Sequence, residues 1–284
     1  MKSKLYNILL TLIFLVGLSL LLYPTVSNYY NAVHQTRAIL QYSNEVDQMQ
    51  VEQNRQHLEA ARDYNNRLAE GGQFSSYLKM EEEYTAQLAT STGVMCYVEI
   101  PSISVTLPVM HTTEETVLNK AIGHLEWSSL PVGGENTHCV LSGHRGLPSA
   151  ELFTNLDSLE YGDTFYVHVL GETLEYWVDD ISVVLPNDYD ALSIVEGKDY
   201  VTLMTCTPYG INSHRLLVRG TRIHRDASAE HVELYLKNEV SSVDLLVVIP
   251  VALVSLSVLV FLVMVLTPSK KKKRKKGGGN REKT

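Results

Sequence analysis

Two long apolar stretches lie near the ends of the chain. Residues 5–23 are nearly uncharged, and about 19 residues is close to the shortest helix that crosses a bilayer. Residues 245–266 carry no charge and would span about 33 Å as a helix. The pattern predicts two transmembrane helices. A cleaved signal sequence is the alternative for the first stretch, but no clear small-x-small cleavage site follows it, which favours an uncleaved anchor.

Between these stretches, the first polar region has a helical period. Apolar residues recur at helical spacing among charged ones over residues 28–90, and no proline interrupts them. The recurring residues are Ile39, Leu40, Val46, Met49, Leu58, Tyr64 and Leu68. The stripe is too irregular for a sustained heptad, which favours helices packed on the following domain over a coiled spacer. We expect a break at Gly71-Gly72, and the segment 74–88 after it is compatible with helix or loop.

The period then changes to that of strands. β-Branched and aromatic runs are bounded by Gly, Pro, Asn and Asp, as expected for short β-strands. The runs are 94–101, 103–109, 137–142, 164–169, 173–179, 181–185, 200–205 and 216–221. Strands at such regular intervals predict a mainly β domain, built as a closed barrel or a sandwich. Gly171-Glu172 is predicted to form a hairpin turn.

These patterns predict the organisation of the whole chain. The expected segments are a cytoplasmic N-terminus 1–4, a transmembrane signal-anchor 5–23, a helical arm 24–92, a β domain 93–225, a linker 226–244, a transmembrane helix 245–266 and a basic cytoplasmic tail 267–284. Basic residues flank the outer end of each apolar stretch, so the positive-inside rule places both termini in the cytoplasm and the β domain outside, at the plasma membrane.

Charge is distributed unevenly along the chain. The net charge is −8, but the two ends together contribute +10, so the residues between them carry −18. An acidic body argues against nucleic acid as a partner, because phosphate binding requires a basic face. The basic tail directly after an apolar span is instead typical of contact with anionic lipid.

The chain contains three cysteines, which allow one disulfide at most. Cys96 and Cys139 lie in apolar runs and are interpreted as buried strand residues, although a bridge between them stays open. No cysteine or histidine spacing resembles a zinc site, and no acidic loop resembles a calcium site. We therefore predict neither a metal nor another cofactor.

The third cysteine has a different setting. Cys206 ends an apolar strand in Thr202-Leu-Met-Thr-Cys206-Thr-Pro-Tyr-Gly, and Arg215 follows after eight residues. If the two flanking strands form a simple hairpin, position 206 opposes 215 and position 202 opposes 219. Opposed residues have Cβ atoms about 5 Å apart, so this register favours Arg215 over Arg219 as the neighbour of the thiol. The alternative is that Cys206 is an inert core thiol.

Upstream, Leu141-Ser-Gly-His144-Arg-Gly supplies the candidate base. Ten histidines occur, but glycines on both sides of this one permit close approach of the backbone. His214 is the main rival because it adjoins Arg215. Neighbouring strand residues point to opposite faces, so His214 and Arg215 are not expected to face the thiol together. Arg145 is expected to point away from His144.

These motifs resemble those of the class C sortases, the pilin polymerases of Gram-positive bacteria. The similarity extends from about Met95 to Arg222, and the Cys206–Arg215 motif is its most specific part. It implies a closed eight-stranded sortase-type β-barrel with N-terminal helices. It also implies a catalytic trio of His144, Cys206 and Arg215.

The resemblance further implies a transpeptidation. The Cys206 thiolate would attack the Thr carbonyl of a Leu-Pro-x-Thr-Gly-like sorting signal and form a thioacyl intermediate. His144 would protonate the leaving Gly amine, and Arg215 would hold the substrate and stabilise the oxyanion. The implied acceptor is a lysine amine of another pilin subunit. The alternatives are a cell-wall amine as acceptor, a hydrolytic cysteine protease, or a catalytically silent membrane scaffold that displays the β domain.

One feature departs from the pattern of class C sortases. Many members carry a lid before the barrel, with an Asp-Pro-aromatic motif over the cysteine, and this chain contains no Asp-Pro pair. The segment from Gly71 to Tyr77 occupies that region, and its aromatic residues Phe74 and Tyr77 are the candidate lid residues.

Overall fold

The computed structural model describes residues 2–223 and 252–258. The chain divides into two units, Met1–Leu22 with Asp244–Thr284, and Tyr23–Val243. Within the first unit, 252–258 are helical. Most of the second predicted span, 245–266, lies outside the described residues, as do the predicted linker 226–244 and the basic tail 267–284.

Residues 2–223 contain four α-helices: α1 Lys2–Gln48, α2 Val51–Glu70, α3 Gln73–Tyr84 and the short α4 Glu115–Leu118. Helix α1 continues through Pro24, so the predicted anchor 5–23 and the start of the predicted arm form one helix. Among the described residues, one helical stretch, Ile8–Gln48, is long and apolar enough to cross a membrane. Its apolar side chains near the N-terminus are largely exposed.

The helical arm packs on the β domain, as its irregular stripe predicts. Ile39, Tyr42 and Val46 of α1 are buried in the same cluster as the barrel core. The Tyr42 hydroxyl donates to the Met95 carbonyl at 3.1 Å and accepts from the Leu170 N–H at 2.8 Å. Tyr42 therefore supplies hydrogen bonds to two strand-end backbone groups while its ring is buried.

Helices α2 and α3 form the rest of the helical arm. The helix is interrupted at Gly71 and Gly72, as predicted. Gly72 has a φ of 79°, a value that other residues adopt only with strain. The segment after the break, left open between helix and loop, is helical over Gln73–Tyr84. On α2, the buried Asn65 carboxamide donates to the Leu130 carbonyl at 3.1 Å and accepts from the Leu130 N–H at 2.7 Å.

Eight strands form a closed barrel in the order β1-β2-β3-β4-β7-β8-β6-β5. Their bounds are β1 Val94–Ile100, β2 Val105–His111, β3 Ile122–His124, β4 Thr137–Ser142, β5 Thr164–Val169, β6 Glu172–Val184, β7 Asp199–Thr207 and β8 His214–Ile223. Two neighbouring pairs, β2 with β3 and β4 with β7, are parallel, and the others are antiparallel. The eight-stranded barrel is therefore confirmed.

Three details of the strand prediction are wrong. Strand β3 has only three residues and was not predicted. The separate runs 173–179 and 181–185 are one long strand, β6, whose register shifts between Val178 and Asp180. The hairpin turn lies one residue earlier than expected, because Val169 pairs with Glu172 and the intervening residues Leu170 and Gly171 both have positive φ. Positive φ at both positions suits the twist of a two-residue hairpin.

Side chains alternate between the two faces of the barrel wall, as strand geometry requires. On β7, Val201 and Leu203 belong to the main core inside the barrel. Met204 instead packs on the outer face, in a second apolar cluster built around Val140, Leu192 and Leu217. This outer cluster lies along the same face as Cys206, two residues further along β7.

Replacing Tyr42 with Phe tests the attachment of the arm. The Tyr42→Phe variant leaves the Leu170 N–H and the Met95 carbonyl without this partner, and we expect the free energy of unfolding to fall by about 1–3 kcal/mol. Thermal unfolding of the detergent-solubilised chain measures the loss. Tyr29→Phe, at an exposed position on the same helix, is the control and should change stability by less than about 0.5 kcal/mol. Equal effects of the two variants would contradict the anchoring role of the hydroxyl.

Candidate active site

The predicted register between Cys206 and Arg215 is confirmed. Strands β7 and β8 are antiparallel, Cys206 pairs with Arg215, and Thr202 pairs with Arg219. Directly opposed residues of an antiparallel pair point to the same face. The thiol and the Arg215 side chain therefore lie side by side at the end of the hairpin, both half-buried.

His144 reaches the same level through the parallel pairing of β4 with β7. Ser142 pairs with Met204, and two bonds extend this alignment beyond the ladder. The Gly143 N–H donates to the Met204 carbonyl at 3.0 Å, and the Thr205 hydroxyl donates to the Gly143 carbonyl at 2.7 Å. His144 is the next residue, so it stands level with Cys206 on the neighbouring strand.

Gly143 allows this close approach because it has no side chain. A Cβ at this position would lie 2.6 Å from the Ile122 side chain and 2.7 Å from the Phe153 ring. The Phe153 N–H also donates to the His144 carbonyl at 3.2 Å. The backbone on both sides of the imidazole is therefore held by packing and by hydrogen bonds.

The structure brings His144, Cys206 and Arg215 to the ends of three adjacent strands, in the order β4, β7, β8. Neighbouring strands are about 4.8 Å apart, so the three residues lie within about 10 Å of one another at one end of the sheet. The sequence named these residues as catalytic candidates, and their catalytic roles stay a prediction. The alignment of His144 depends on a parallel pairing that the sequence did not reveal.

Arg145 links the loop after His144 to the hairpin turn, a role that the sequence did not suggest. Its guanidinium donates to the Thr207 hydroxyl at 3.4 Å and forms an ion pair with Asp157. The guanidinium carbon also lies 5.8 Å from the centre of the Tyr209 ring, which packs closely on Gly146. Arg145, the residue after His144, is thus joined to Thr207, the residue after Cys206.

Burial distinguishes Cys206 from the other two cysteines. Cys96 and Cys139 are unbridged and buried, and desolvation raises the pKa of both thiols above the usual range. The more reactive thiolate is therefore disfavoured at both positions. Cys206 is half-buried, so its sulfur is within reach of a substrate.

The protonation of His144 is set by two opposing effects. Partial burial disfavours the imidazolium and lowers the pKa of His144 below its usual value, whereas the nearby negative charge of Glu115 favours the imidazolium and raises it. Desolvation is the larger effect. At neutral pH most of the imidazole is therefore neutral and able to accept a proton.

Arg215 and Arg219 of β8 have different environments. Arg219 forms a two-pronged ion pair with Asp179 at 2.9 and 3.2 Å and stacks 4.4 Å over the Tyr200 ring. Arg215 donates to the carbonyls of Asn212 and His214 in its own turn, at 3.5 and 3.3 Å. Arg219 is therefore committed to a structural pair, and Arg215 holds its charge beside the thiol through weaker contacts.

The two candidate lid residues lie in different surroundings, with Phe74 next to the outer apolar cluster and Tyr77 packed on the main core. The exposed Phe74 ring is 6.5 Å from the Trp127 ring, and both line a cavity of about 630 Å³ with Tyr189. Tyr77 is half-buried and packs edge-on against Tyr84, with ring centres 6.2 Å apart. A lid function for Phe74 and Tyr77 stays a prediction.

The same segment is tied to the loop between β6 and β7. The Gln73 carboxamide donates to the Leu192 carbonyl at 3.4 Å and accepts from the Ile194 N–H at 3.0 Å. Because Leu192 belongs to the outer cluster, the break between α2 and α3 is connected to one wall of the apolar surface below Cys206. Across 2–223 and 252–258, no group of three or more His, Cys, Asp and Glu side chains is arranged to hold a metal ion.

Comparison with known proteins assigns this architecture. Residues 98–223 match the sequence profile described as Sortase domain. Sortase A of Bacillus anthracis is 28% identical over 224 residues, which cover 77% of this chain and 95% of that protein. The structure of sortase C1 from Streptococcus agalactiae is 47% identical with a TM-score of 0.62, covering 67% of this chain and 100% of that one. The structure of sortase C from Streptococcus pneumoniae is 45% identical with a TM-score of 0.62, and the match covers 68% of this chain and 99% of that one.

The closed barrel and these matches define a cysteine transpeptidase. The chain belongs to the sortase family, and its strong similarity to the sortase C structures assigns it to class C.

Titration of His144 tests its electrostatic setting. We expect the midpoint of the His144 imidazole to lie below the usual value of about 6.5, because partial burial outweighs the attraction of Glu115. Glu115→Gln removes the charge that favours the imidazolium, so the midpoint should fall further, by a fraction of a pH unit. NMR titration with His144→Gln for assignment measures both midpoints, and added salt should reduce the difference. A higher midpoint in Glu115→Gln would contradict this account.

Proposed function

We propose that this sortase is a membrane-anchored pilin polymerase that uses Cys206, His144 and Arg215 as its catalytic residues. The observation that carries the proposal is the alignment of the three side chains on adjacent strand ends. A thiol, an imidazole and a guanidinium side by side provide a nucleophile, a proton carrier and a fixed positive charge. These are the groups that acyl transfer through a thioester requires.

In the first half-reaction, the Cys206 thiolate attacks the Thr carbonyl carbon of a Leu-Pro-x-Thr-Gly-like sorting signal. The carbon–sulfur bond forms, and the bond between the Thr carbonyl and the Gly nitrogen breaks. The imidazolium of His144, which is the minor form at neutral pH, donates its proton to the departing amine, because an unprotonated amide nitrogen is a poor leaving group. The products are a thioacyl enzyme, a neutral imidazole and a free Gly amine.

In the second half-reaction, a neutral lysine amine of another pilin attacks the thioester carbon. The carbon–nitrogen bond forms as the carbon–sulfur bond breaks, and the Cys206 thiolate is regenerated. His144 accepts the proton that the amine releases, which restores the imidazolium. The lowered pKa of His144 suits this step, because the neutral imidazole is the form that takes up a proton.

Arg215 stabilises the oxyanion that develops in both half-reactions. It lies opposite the thiol, and a charged donor fixed near the developing oxygen lowers the barrier without reorganisation of water. Within residues 2–223, the hydrogen bonds of its guanidinium go to backbone carbonyls of its own turn, so its guanidinium can shift toward a bound carbonyl at small cost. The paired Arg219 lacks this freedom.

The outer apolar cluster supports binding of the sorting signal. Met204, Leu217 and Val140 lie on the same face as Cys206. The Leu and Pro of the signal precede the reacting Thr by a few residues, so an apolar surface next to the thiol suits them. Burial of such side chains contributes roughly 25 cal/mol per Å² of apolar area.

Two observations support pilins as substrates and a membrane location. One similar structure is that of sortase C1 of the group B streptococcal pilus island 1. Another is that of Streptococcus pneumoniae sortase C, an enzyme described as having pilin substrates. The apolar first part of α1 is long enough for a membrane anchor. We propose that the barrel faces the outside, where surface proteins bearing sorting signals are exported, and that residues 245–266 form a second span.

Adduct formation on Cys206 tests the first half-reaction. Incubation of the enzyme with a Leu-Pro-x-Thr-Gly peptide and no amine acceptor should add the mass of the peptide up to its Thr to Cys206, as measured by mass spectrometry. Cys206→Ala should give no adduct, whereas Cys96→Ala should still give one because that thiol is buried in the core. Absence of the adduct with every encoded pilin signal would refute the proposal.

Substitution of the two arginines by lysine separates their roles. Arg215→Lys keeps the charge but loses the planar fork of donors, and we expect kcat/KM for the sorting peptide to fall about 10- to 100-fold. Arg219→Lys is the matched control on the same strand and should change kcat/KM less than about threefold, because its partner is Asp179. A larger loss in Arg219→Lys than in Arg215→Lys would reverse the assignment.

Competition between acceptors tests the second half-reaction. The thioacyl enzyme is offered a folded pilin and a cell-wall peptide amine at equal concentration, and the products are identified by mass spectrometry. Pilin polymerisation predicts an isopeptide bond to a specific pilin lysine as the main product. Exclusive transfer to the cell-wall amine would instead indicate a sortase that anchors surface proteins to the wall.

A further inference from the structure

The barrel-facing side of α1 changes character along its length. Further along the helix, that side is apolar and includes Ile39 and Tyr42. Nearer the apolar N-terminal part, the residues at the same helical spacing are Asn28, Asn31 and Gln35, all half-buried. A row of short amides in place of apolar residues indicates that this part of the helix contacts polar backbone.

The two asparagines bind the loop that follows His144. The Asn31 side-chain amide donates to the Ser149 carbonyl at 2.7 Å. Asn28 makes a reciprocal pair with Glu151: its carbonyl oxygen accepts from the Glu151 N–H at 2.8 Å, and its amide donates to the Glu151 carboxylate at 3.4 Å. Helix α1 thus holds the backbone of this loop at two points, through residues 118 to 123 positions away in the chain.

The held segment is connected to His144 by a short path. Ala150, between the two held residues, is buried and forms a β-bridge with Leu147. Two residues after Glu151, the buried Phe153 donates its N–H to the His144 carbonyl and packs its ring on Gly143. Displacement of Ser149 and Glu151 would therefore shift Phe153 and, through it, the backbone that carries the imidazole.

We propose that Asn28 and Asn31 are positioning residues that hold the His144 loop in its reactive arrangement. The proposal rests on the role of His144 proposed above. Both asparagines lie on α1 shortly after its apolar part, so the helix that carries the anchor also stabilises the active site. A proton carrier must be held within a fraction of an ångström of its productive position. Loss of the two amides therefore reduces turnover more than it reduces binding of the sorting signal.

The test uses the full chain in detergent micelles and the variant Asn28→Leu/Asn31→Leu, which replaces each amide with an apolar side chain of similar size. We expect kcat for transfer from a sorting peptide to fall roughly five- to tenfold, while KM changes less than about twofold. Hydrogen exchange of residues 145–153 should become faster. Each single variant should show a smaller fall in kcat and a smaller rise in exchange. If the double variant does not fold, the single variants supply both measurements.

The control is Arg62→Met, which removes the ion pair between Arg62 of α2 and Glu172 of β6 at 2.8 Å. This contact also joins a helix of the arm to the barrel, but it lies far from His144 in the strand order. We expect unchanged kcat and unchanged exchange of residues 145–153.

Two results would overturn the inference. One is a double variant with wild-type kcat and wild-type exchange in the loop. The other is an equal loss of kcat in Arg62→Met, which would indicate a general effect of loosening the arm. If the wild-type chain itself fails to process the peptide, the proposed function fails instead, and unchanged exchange of 145–153 in the variant still refutes the positioning role.

Discussion

The active site depends on the parallel pairing of β4 with β7. Residues 62 positions apart in the chain are aligned by this ladder, and the bonds of Gly143 to Met204 and Thr205 extend it to the level of the thiol. Without that extension, the sheet would not set the level of His144 relative to the thiol. The absence of a side chain at Gly143 leaves room for Phe153, which in turn holds the His144 carbonyl. The geometry of the proposed catalytic trio is therefore a property of the sheet and its packing.

Burial decides which ionisable groups can take part in chemistry. His124 and His138 are fully buried, and desolvation lowers the pKa of each to about 4, so both remain neutral hydrogen-bonding residues. Cys96 and Cys139 are buried thiols whose pKa is raised. His144 and Cys206 differ from these residues because they are only half-buried. Of the three cysteines, Cys206 is therefore the one open to substrate, and it lies at the same end of the sheet as His144.

The sequence predicted features that depend on local pattern. The helical arm follows from its apolar period, and the opposition of Cys206 and Arg215 follows from counting residues across one hairpin. Features that depend on distant contacts were not predictable. Strand β3 is too short to show a period, and its two neighbours in the sheet supply its hydrogen bonds. The bulge that makes β6 one continuous strand, and the contacts of Arg145 with Thr207 and Asp157, likewise arise only when segments far apart in sequence meet.

The burial of Tyr42 and Ile39 has a consequence for how the enzyme can exist. Strand β1 is buried along its whole length, and the helices of the arm share one apolar cluster with the barrel. Cleavage between the arm and the barrel would uncover a continuous apolar strip, and such surfaces promote aggregation. A barrel separated from the arm by proteolysis would therefore be short-lived in solution. Attachment to the arm thus confines transpeptidase activity to the intact chain.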